Sequence, residues 1–80
     1  MDRAVDPLAI AFATVLRKRR REMGLSQEEL AHRAGISMRY VSLLEGNKFH
    51  PTIITMQSLA LALGLKLSEM VAEAENLPKR

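Results

Sequence analysis

The segment from residue 26 to residue 45 constrains the fold of this chain more than any other. Ser26 is a preferred N-cap, and Glu29 follows it at the spacing of a capping box, which marks the start of a helix. Gly35 ends this helix, because a residue at that position adopts a left-handed conformation that side chains resist. Ser37 is the N-cap of a second helix. The segment therefore predicts two short helices joined by a sharp turn.

The apolar residues of this segment predict how its two helices pack. The inward positions are Leu30, Ala31, Ala34, Ile36, Val41 and Leu44. Their spacing places them on one side of each helix, and the small Ala31 permits a close crossing. The interpretation is a helix-turn-helix. The alternative is a helical hairpin that only packs within the core.

One helix is predicted before this segment. Asp6 is an N-cap, and Pro7 occupies the first helical position, where its missing N–H costs no hydrogen bond. The helix is predicted to run to Met23 and to end at Gly24. Its apolar stripe consists of Leu8, Phe12, Val15 and Leu16.

Two further helices are predicted after the segment. Thr52 or Thr55 starts the fourth helix, Gly64 ends it, and a fifth helix follows. Eighty residues suit one domain with one modest core. We therefore expect an all-α fold, a compact bundle of about five short helices that forms a single domain over residues 1–80. Loose ends are expected at about 1–5 and 76–80.

The charge of the chain is uneven. Lys and Arg number 12 against 9 Asp and Glu, so the net charge is +3, and all of this surplus lies in residues 1–40. Five consecutive basic residues, 17–21, wrap around more than one helical turn and cannot form a single basic face. Apart from Arg20, we expect them to be solvated cations at a helix C-terminus rather than phosphate contacts. The surplus favours an anionic partner.

Catalytic and metal-binding chemistry finds little support in the sequence. His32 and His50 lie far apart, the chain has no cysteine, and no glycine-rich phosphate loop is present. We expect no enzyme activity, no cofactor and no metal. Met23, Met56 and Met70 are predicted to fill gaps in the core. Because no apolar run approaches about 18 residues, we also expect a soluble, cytoplasmic protein with no membrane partner.

The outward side of the second motif helix carries side chains that suit DNA. Met38 and Arg39 lie at its N-terminal end, and Leu43 follows one turn after Arg39. Arg39 can donate two hydrogen bonds to a guanine, whereas Met38 or Leu43 can contact a thymine methyl group. Gln27, at the start of the first motif helix, is placed to bind a phosphate.

These residues resemble the lambda-repressor and Cro type of helix-turn-helix domain, also called the xenobiotic-response-element family. The resemblance extends over roughly residues 12–71. Its strongest parts are residues 24–31, 34–37, 40–42, 44–45, Pro51 and 59–64. It implies a five-helix DNA-binding domain that acts as a dimer on a near-palindromic operator, with the recognition helix, residues 37–45, in the major groove.

The resemblance also implies roles for individual residues. Met38, Arg39 and Leu43 match base-reading positions, and Gln27 matches a residue that binds a phosphate and steadies the recognition helix. Further contacts to the DNA backbone are implied for Ser26, Ser37, Tyr40, Ser42, Asn47 and Lys48.

Three other features follow from the same resemblance. Arg20 and Glu45 match a buried ion pair that joins the first helix to the recognition helix. Residues 46–47 depart from the family pattern, in which a polar residue precedes a glycine. Base-reading positions 38 and 43 are less polar than is usual in the family, so we expect methyl contacts and DNA shape to contribute to recognition.

A dimer is expected because one recognition helix reads only a few base pairs. The candidate interface is Leu61, Leu65, Leu67, Met70 and Ala74, some of which must also serve the core. The alternative is that these residues only close the core of a monomer.

The predicted function is a sequence-specific transcriptional regulator whose partner is double-stranded DNA. The alternative is an antitoxin-type interaction module whose main partner is a toxin protein. The chain is also similar to the controller proteins of restriction–modification systems, to phage repressors and to general regulators.

Overall fold

The computed structural model of the protein describes residues 6–78, which form five α-helices and no strand. The helices are α1 (Pro7–Glu22), α2 (Gln27–Ala34), α3 (Met38–Glu45), α4 (Ile53–Ala62) and α5 (Leu67–Glu75). The predicted all-α fold is therefore confirmed, and α2 and α3 are the two helices of the predicted motif. α1 packs against α3 and α5, and α2 packs against α3 and α4.

The helices begin where side chains can accept the first free backbone N–H groups. At four helices the side-chain oxygen of the N-cap residue accepts a backbone N–H. Asp6 accepts from Leu8 (2.8 Å), Ser26 from Glu29 (3.0 Å), Ser37 from Tyr40 (3.1 Å) and Thr52 from Thr55 (3.1 Å). Glu29 also accepts the N–H of Ser26 at 2.8 Å, which completes the predicted capping box. Of the two candidates for the start of α4, Thr52 is the N-cap.

Four helices end with the same pair of backbone hydrogen bonds. The residues with positive φ at these ends are Gly24, Gly35, Asn47 and Gly64. After α3, the N–H of Lys48 donates to the carbonyl of Leu43 (2.8 Å) and that of Asn47 to Leu44 (3.1 Å), which is a Schellman ending. Asn47 takes the left-handed position (φ 62°), whereas Gly46 does not. The departure at residues 46–47 therefore leaves this helix end regular.

The core is aliphatic and draws on all five helices. Its buried residues are Phe12, Ala13, Val15, Leu16, Leu25, Leu30, Ala31, Val41, Leu44, Leu59, Ala60, Leu63, Met70 and Ala74. Met70 fills the core and Met56 packs against it, as predicted. Met23 does not, because it follows the last turn of α1 and its side chain is exposed.

The C-terminal end is less loose than expected. Leu77 packs against the core, and the amide of Asn76 donates to the carbonyl of Ala72 at 2.7 Å. The predicted loose residues 1–5 and 79–80 lie outside the described part of the chain.

α4 is apolar on both sides. Leu59 and Ala60 are buried, while Ile53, Ile54 and Leu61 are exposed. Within residues 6–78 no single helix has the length and apolar composition to cross a bilayer; α4 and α5 meet that criterion only as a pair bent by 101°.

Candidate nucleic-acid interface

α3 has one buried side and one exposed side. Val41 and Leu44 are buried, as predicted. Met38 and Arg39 are exposed at the N-terminal end, and Leu43, one turn after Arg39, is partly buried. The structure therefore places all three predicted base-reading residues outside the buried side of α3, two of them at the end that a groove-binding helix presents to the bases.

The turn between α2 and α3 depends on Gly35. This residue has φ 73°, and the N–H of Ile36 donates to the carbonyl of Ala31 at 3.0 Å. A Cβ added at Gly35 would meet no atom within 4 Å, so glycine is needed for its backbone conformation and not for space. Ala31 is buried, as a close helix crossing requires.

The ion pair that the resemblance implied is present between α1 and α3. Nε of Arg20 donates to Oε2 of Glu45 at 2.7 Å, and Nη2 donates to Oε1 at 2.9 Å. Nη1 donates to the carbonyl of Leu25 at 2.8 Å, so all three nitrogens of this guanidinium are hydrogen-bonded. Both residues are buried. The pair fixes the C-terminal end of α3 against α1.

The side chain of Gln27 is hydrogen-bonded to the carboxylate of Glu45 as well. Its Nε2 donates to Oε1 of Glu45 at 3.0 Å, which links the start of α2 to the end of α3. Burial disfavours the charged form of Glu45, but the hydrogen bonds from Arg20 and Gln27 and the charges of Arg20 and Arg17 outweigh it. They hold the pKa of Glu45 below its usual value. Because an amide nitrogen carries two hydrogens, Gln27 keeps one for another acceptor.

The basic residues 17–21 are more engaged than expected. Nζ of Lys18 lies 3.1 Å from Oε2 of Glu73, and Nη2 of Arg19 lies 2.8 Å from Oε1. These two residues are therefore partly exposed, as expected, but they are also ion-paired, and the pairs attach α1 to α5. Burial raises the pKa of Glu73, but the hydrogen bonds from Lys18 and Arg19 outweigh it and lower the pKa overall. No local pattern in the sequence signals this contact, because it depends on how α5 packs along α1.

Comparison with known proteins decides the family. A family model described as helix-turn-helix matches residues 16–70. The chain belongs to the helix-turn-helix family. Members of this family are transcription regulators and not enzymes, which confirms the prediction for this chain.

Two proteins with similar sequences are a transcriptional regulator and a repressor by name. The chain is 46% identical over 59 residues to y4dJ, an uncharacterized HTH-type transcriptional regulator of Sinorhizobium fredii. The matched segment covers 74% of this chain and 77% of the relative. It is 35% identical over 54 residues to the immunity repressor protein of Bacillus phage phi105, covering 68% of this chain and 38% of the relative.

Solved structures share the fold. The clp gene regulator ClgR of Corynebacterium glutamicum superposes with a TM-score of 0.81 at 28% identity, covering 90% of this chain and 77% of that one. The restriction–modification controller protein C.AhdI of Aeromonas hydrophila gives a TM-score of 0.74 at 32% identity, covering 78% and 94%.

The other residues that are predicted to contact the DNA backbone lie on α3, next to its ends, or at the start of α2. Ser26, Ser37, Ser42 and Lys48 are exposed, whereas Tyr40 and Asn47 are partly buried. The ring of Phe49 packs edge-on against that of Tyr40, with centroids 5.7 Å apart. Phe49 lies in the loop after α3, and no periodicity in the sequence connects it with Tyr40. Phe49 is thus an exposed aromatic residue at this surface that the sequence analysis missed.

The predicted dimer residues divide into two groups. Met70 and Ala74 are buried in the core of the chain itself, so we remove them from the candidate interface. Leu61 is 65% exposed, and Leu65 and Leu67 are partly buried. Ile53 (69% exposed) and Ile54 (73% exposed) were not predicted. We call Ile53, Ile54, Leu61, Leu65 and Leu67 the α4–α5 surface.

The described residues 6–78 contain no group of three His, Cys, Asp or Glu side chains that could hold a metal ion. His32 and His50 are both exposed and lie on different elements, α2 and the loop after α3.

Proposed function

We propose that the protein is a sequence-specific DNA-binding transcriptional regulator that acts as a dimer on a near-palindromic operator. The observation that carries this proposal is the fixed position of α3. Its inner side is buried, and its end is bonded to α1 and α2 through Arg20, Glu45 and Gln27. Its outer side remains exposed. A helix held rigidly on one side and exposed on the other suits insertion into the major groove.

Sequence would be read by three side chains. The guanidinium of Arg39 can donate to O6 and N7 of a guanine, and Met38 and Leu43 can contact thymine methyl groups. Only one of the three offers hydrogen bonds. DNA shape and deformability would therefore supply part of the specificity.

The DNA backbone would be held by groups around α3. The free amide hydrogen of Gln27 can donate to a phosphate, and the exposed Lys48 can neutralise one. The other proposed backbone contacts are Ser26, Ser37, Tyr40, Ser42 and Asn47. These contacts would set the orientation of α3 without reading sequence.

Dimerisation would use the α4–α5 surface. Ile54 and Leu61 lie two turns apart on the side of α4 that faces away from the core. Ser58 lies between them on this side, so the exposed side is mainly but not wholly apolar. Exposed apolar residues grouped on one side of a helix are typical of interaction sites. A two-fold interface here would place two copies of α3 on one face of the DNA, about 34 Å apart.

The regulators, repressor and controller protein named above do not support the antitoxin alternative. A regulator that acts on an operator works where the DNA is, so we propose the cytoplasm as its location.

The base-reading assignment is tested by two variants on a panel of operator mutants. Arg39→Ala should lose preference at one position of each half-site, by about 1–3 kcal/mol, because a base contact is lost. Gln27→Ala should weaken binding to all panel members similarly, because phosphates carry no sequence information. Unchanged preferences in Arg39→Ala would contradict the assignment.

The dimer is tested by sedimentation of the wild type and of Leu61→Glu. Leu61→Glu should shift the equilibrium to monomer while circular dichroism shows an unchanged helical content, because Leu61 lies outside the core. Leu8→Glu is the control, since Leu8 is an exposed leucine of α1. A wild type that stays monomeric at high micromolar concentration, with and without DNA, would contradict the proposal.

A further inference from the structure

Among the described residues 6–78, two of the basic residues 17–21, Arg17 and Arg21, form no side-chain hydrogen bond, and of these two only Arg17 lies within ion-pair distance of a carboxylate. Lys18, Arg19 and Arg20 are hydrogen-bonded to carboxylates. Arg17 instead has its Nε 3.7 Å from Oε1 of Glu45, and its side chain is 48% exposed. At this distance the two groups attract each other but are not hydrogen-bonded. The N–H groups of Arg17 therefore remain free for another acceptor, since no other residue of 6–78 accepts from them.

Arg17 lies beside the residue that is proposed to bind a phosphate. Oε1 of Glu45, which Arg17 approaches, also accepts the hydrogen bond from Nε2 of Gln27 at 3.0 Å. The two side chains therefore approach the same carboxylate oxygen, which also accepts a hydrogen bond from Nη2 of Arg20 at 2.9 Å. Gln27 keeps one amide hydrogen unused, and Arg17 keeps the N–H groups of its guanidinium.

At the carboxylate of Glu45 the local charge balance is positive, because two guanidinium groups, from Arg17 and Arg20, face this single carboxylate. Arg20 is buried, so the exposed part of this surplus is carried by Arg17. Glu28 and Glu29 add negative charge in the first turn of α2, but among the described residues neither lies within ion-pair distance of Arg17.

We infer that Arg17 is a further DNA-backbone contact, which donates to the phosphate that Gln27 binds or to the next one along the strand. The inference rests on the proposed function. It separates Arg17 from Lys18, Arg19 and Arg21, with which the sequence analysis grouped it. A guanidinium suits this role, because its planar arrangement of donors matches a phosphate and its charge does not depend on pH.

The test measures binding to a labelled DNA duplex of mixed sequence, by anisotropy, from low to physiological salt. Arg17→Ala should weaken binding at low salt by roughly tenfold, and reduce the log–log salt slope by about 0.9, the value for one phosphate. Arg17→Lys should keep the slope, because it keeps the charge, with an intermediate affinity. Arg33→Ala is the matched control: it removes the same charge from an exposed position at the other end of α2.

The outcomes separate the two proposals. If the wild type binds and Arg17→Ala matches Arg33→Ala in affinity and slope, the role of Arg17 is overturned and the proposed function stands. If the wild type has no affinity for duplex DNA at low salt, both are overturned. Circular dichroism of each variant confirms folding. Arg17→Gln, which keeps part of the aliphatic stem, is expected to repeat the Arg17→Ala result and replaces it if Arg17→Ala is not folded.

Discussion

Two glutamates, Glu45 of α3 and Glu73 of α5, are each held by basic residues of α1, but in different surroundings. The side chain of Glu45 is 1% exposed and that of Glu73 is 20% exposed. The partner of Glu45, Arg20, is also buried, whereas the side chains of Lys18 and Arg19, the partners of Glu73, are 53% and 39% exposed. Similar ion pairs therefore carry very different energetic consequences, because the cost of removing charges from water differs.

The two contacts also serve different parts of the molecule. The buried pair fixes the end of α3, the helix proposed to read DNA. The exposed pairs attach α5, which contributes Leu67 to the α4–α5 surface. Substitution of Glu45 should therefore affect both folding and DNA binding. Substitution of Glu73 should have a small effect on stability and leave the position of α3 unchanged.

The largest effect is expected for Glu45→Ala. This change leaves the guanidinium of Arg20 buried without its carboxylate, which should lower the free energy of unfolding by about 3–5 kcal/mol. Urea unfolding at neutral pH measures it. The control is the double variant Arg20→Met with Glu45→Leu, which removes both charges and should recover most of the loss. A loss no larger than that of Glu73→Ala would remove the distinction between the two sites.

Acid should weaken the fold through both glutamates. Their pKa values are lower in the folded chain than in the unfolded one. The stability they contribute is therefore complete above the unfolded value, about 4.3, and is lost as the pH falls through the folded values. Thermal unfolding from pH 7 to pH 3 should show this decline in the wild type. In Glu45→Gln and in Glu73→Gln the decline should be shallower, and a profile identical to wild type would contradict the assignment for that residue.

A smaller effect is expected for Glu73→Ala. Exposed ion pairs contribute up to about 1 kcal/mol, and salt screens them. The difference in unfolding free energy between this variant and the wild type should therefore shrink at high salt, whereas the deficit of Glu45→Ala should persist. Affinity for DNA should stay within experimental error of wild type. A deficit of several kcal/mol would show that Glu73 is as critical as Glu45.

The smallest effect is expected at the end of α3. Asn47 occupies a left-handed position that glycine fills at three other helix ends. Asn47→Gly should raise the unfolding free energy by a few tenths of a kcal/mol, about 1 at most, because glycine adopts this conformation without strain. Urea unfolding measures the stability of Asn47→Gly. The comparison variant is Gly35→Ala, which should be less stable than the wild type because a side chain resists the left-handed conformation at residue 35. A destabilised Asn47→Gly would indicate that the asparagine side chain has a further role in fixing this end.

The sequence predicted features that depend on neighbours in the chain. Ser26, Glu29 and Gly35 indicated α2 and its turn, because caps and left-handed endings act over a few residues. The pair of Arg20 with Glu45 was accessible only through the family resemblance. The contact of Arg19 with Glu73 was not predicted, since α1 and α5 meet through tertiary packing that no local pattern encodes.

The boundary between core and surface was the least predictable part. Met70 and Ala74 belong to the core, while Ile54 is 73% exposed, although all three are apolar residues of α4 or α5. Because α4 has apolar residues on two sides, one of these sides must be exposed in the single chain. The sequence pattern does not show which side is exposed, since that depends on how α2 and α5 pack against α4.

The most direct test of the central claim, that α3 reads DNA sequence, is selection of bound duplexes from a randomised DNA library. The wild type should enrich inverted half-sites whose centres lie about one helical turn apart. Selection with Arg39→Ala should lose information at one position of each half-site. Selected sequences indistinguishable from the starting library would contradict the account, because a helix that only packs, or a purely electrostatic contact, enriches none.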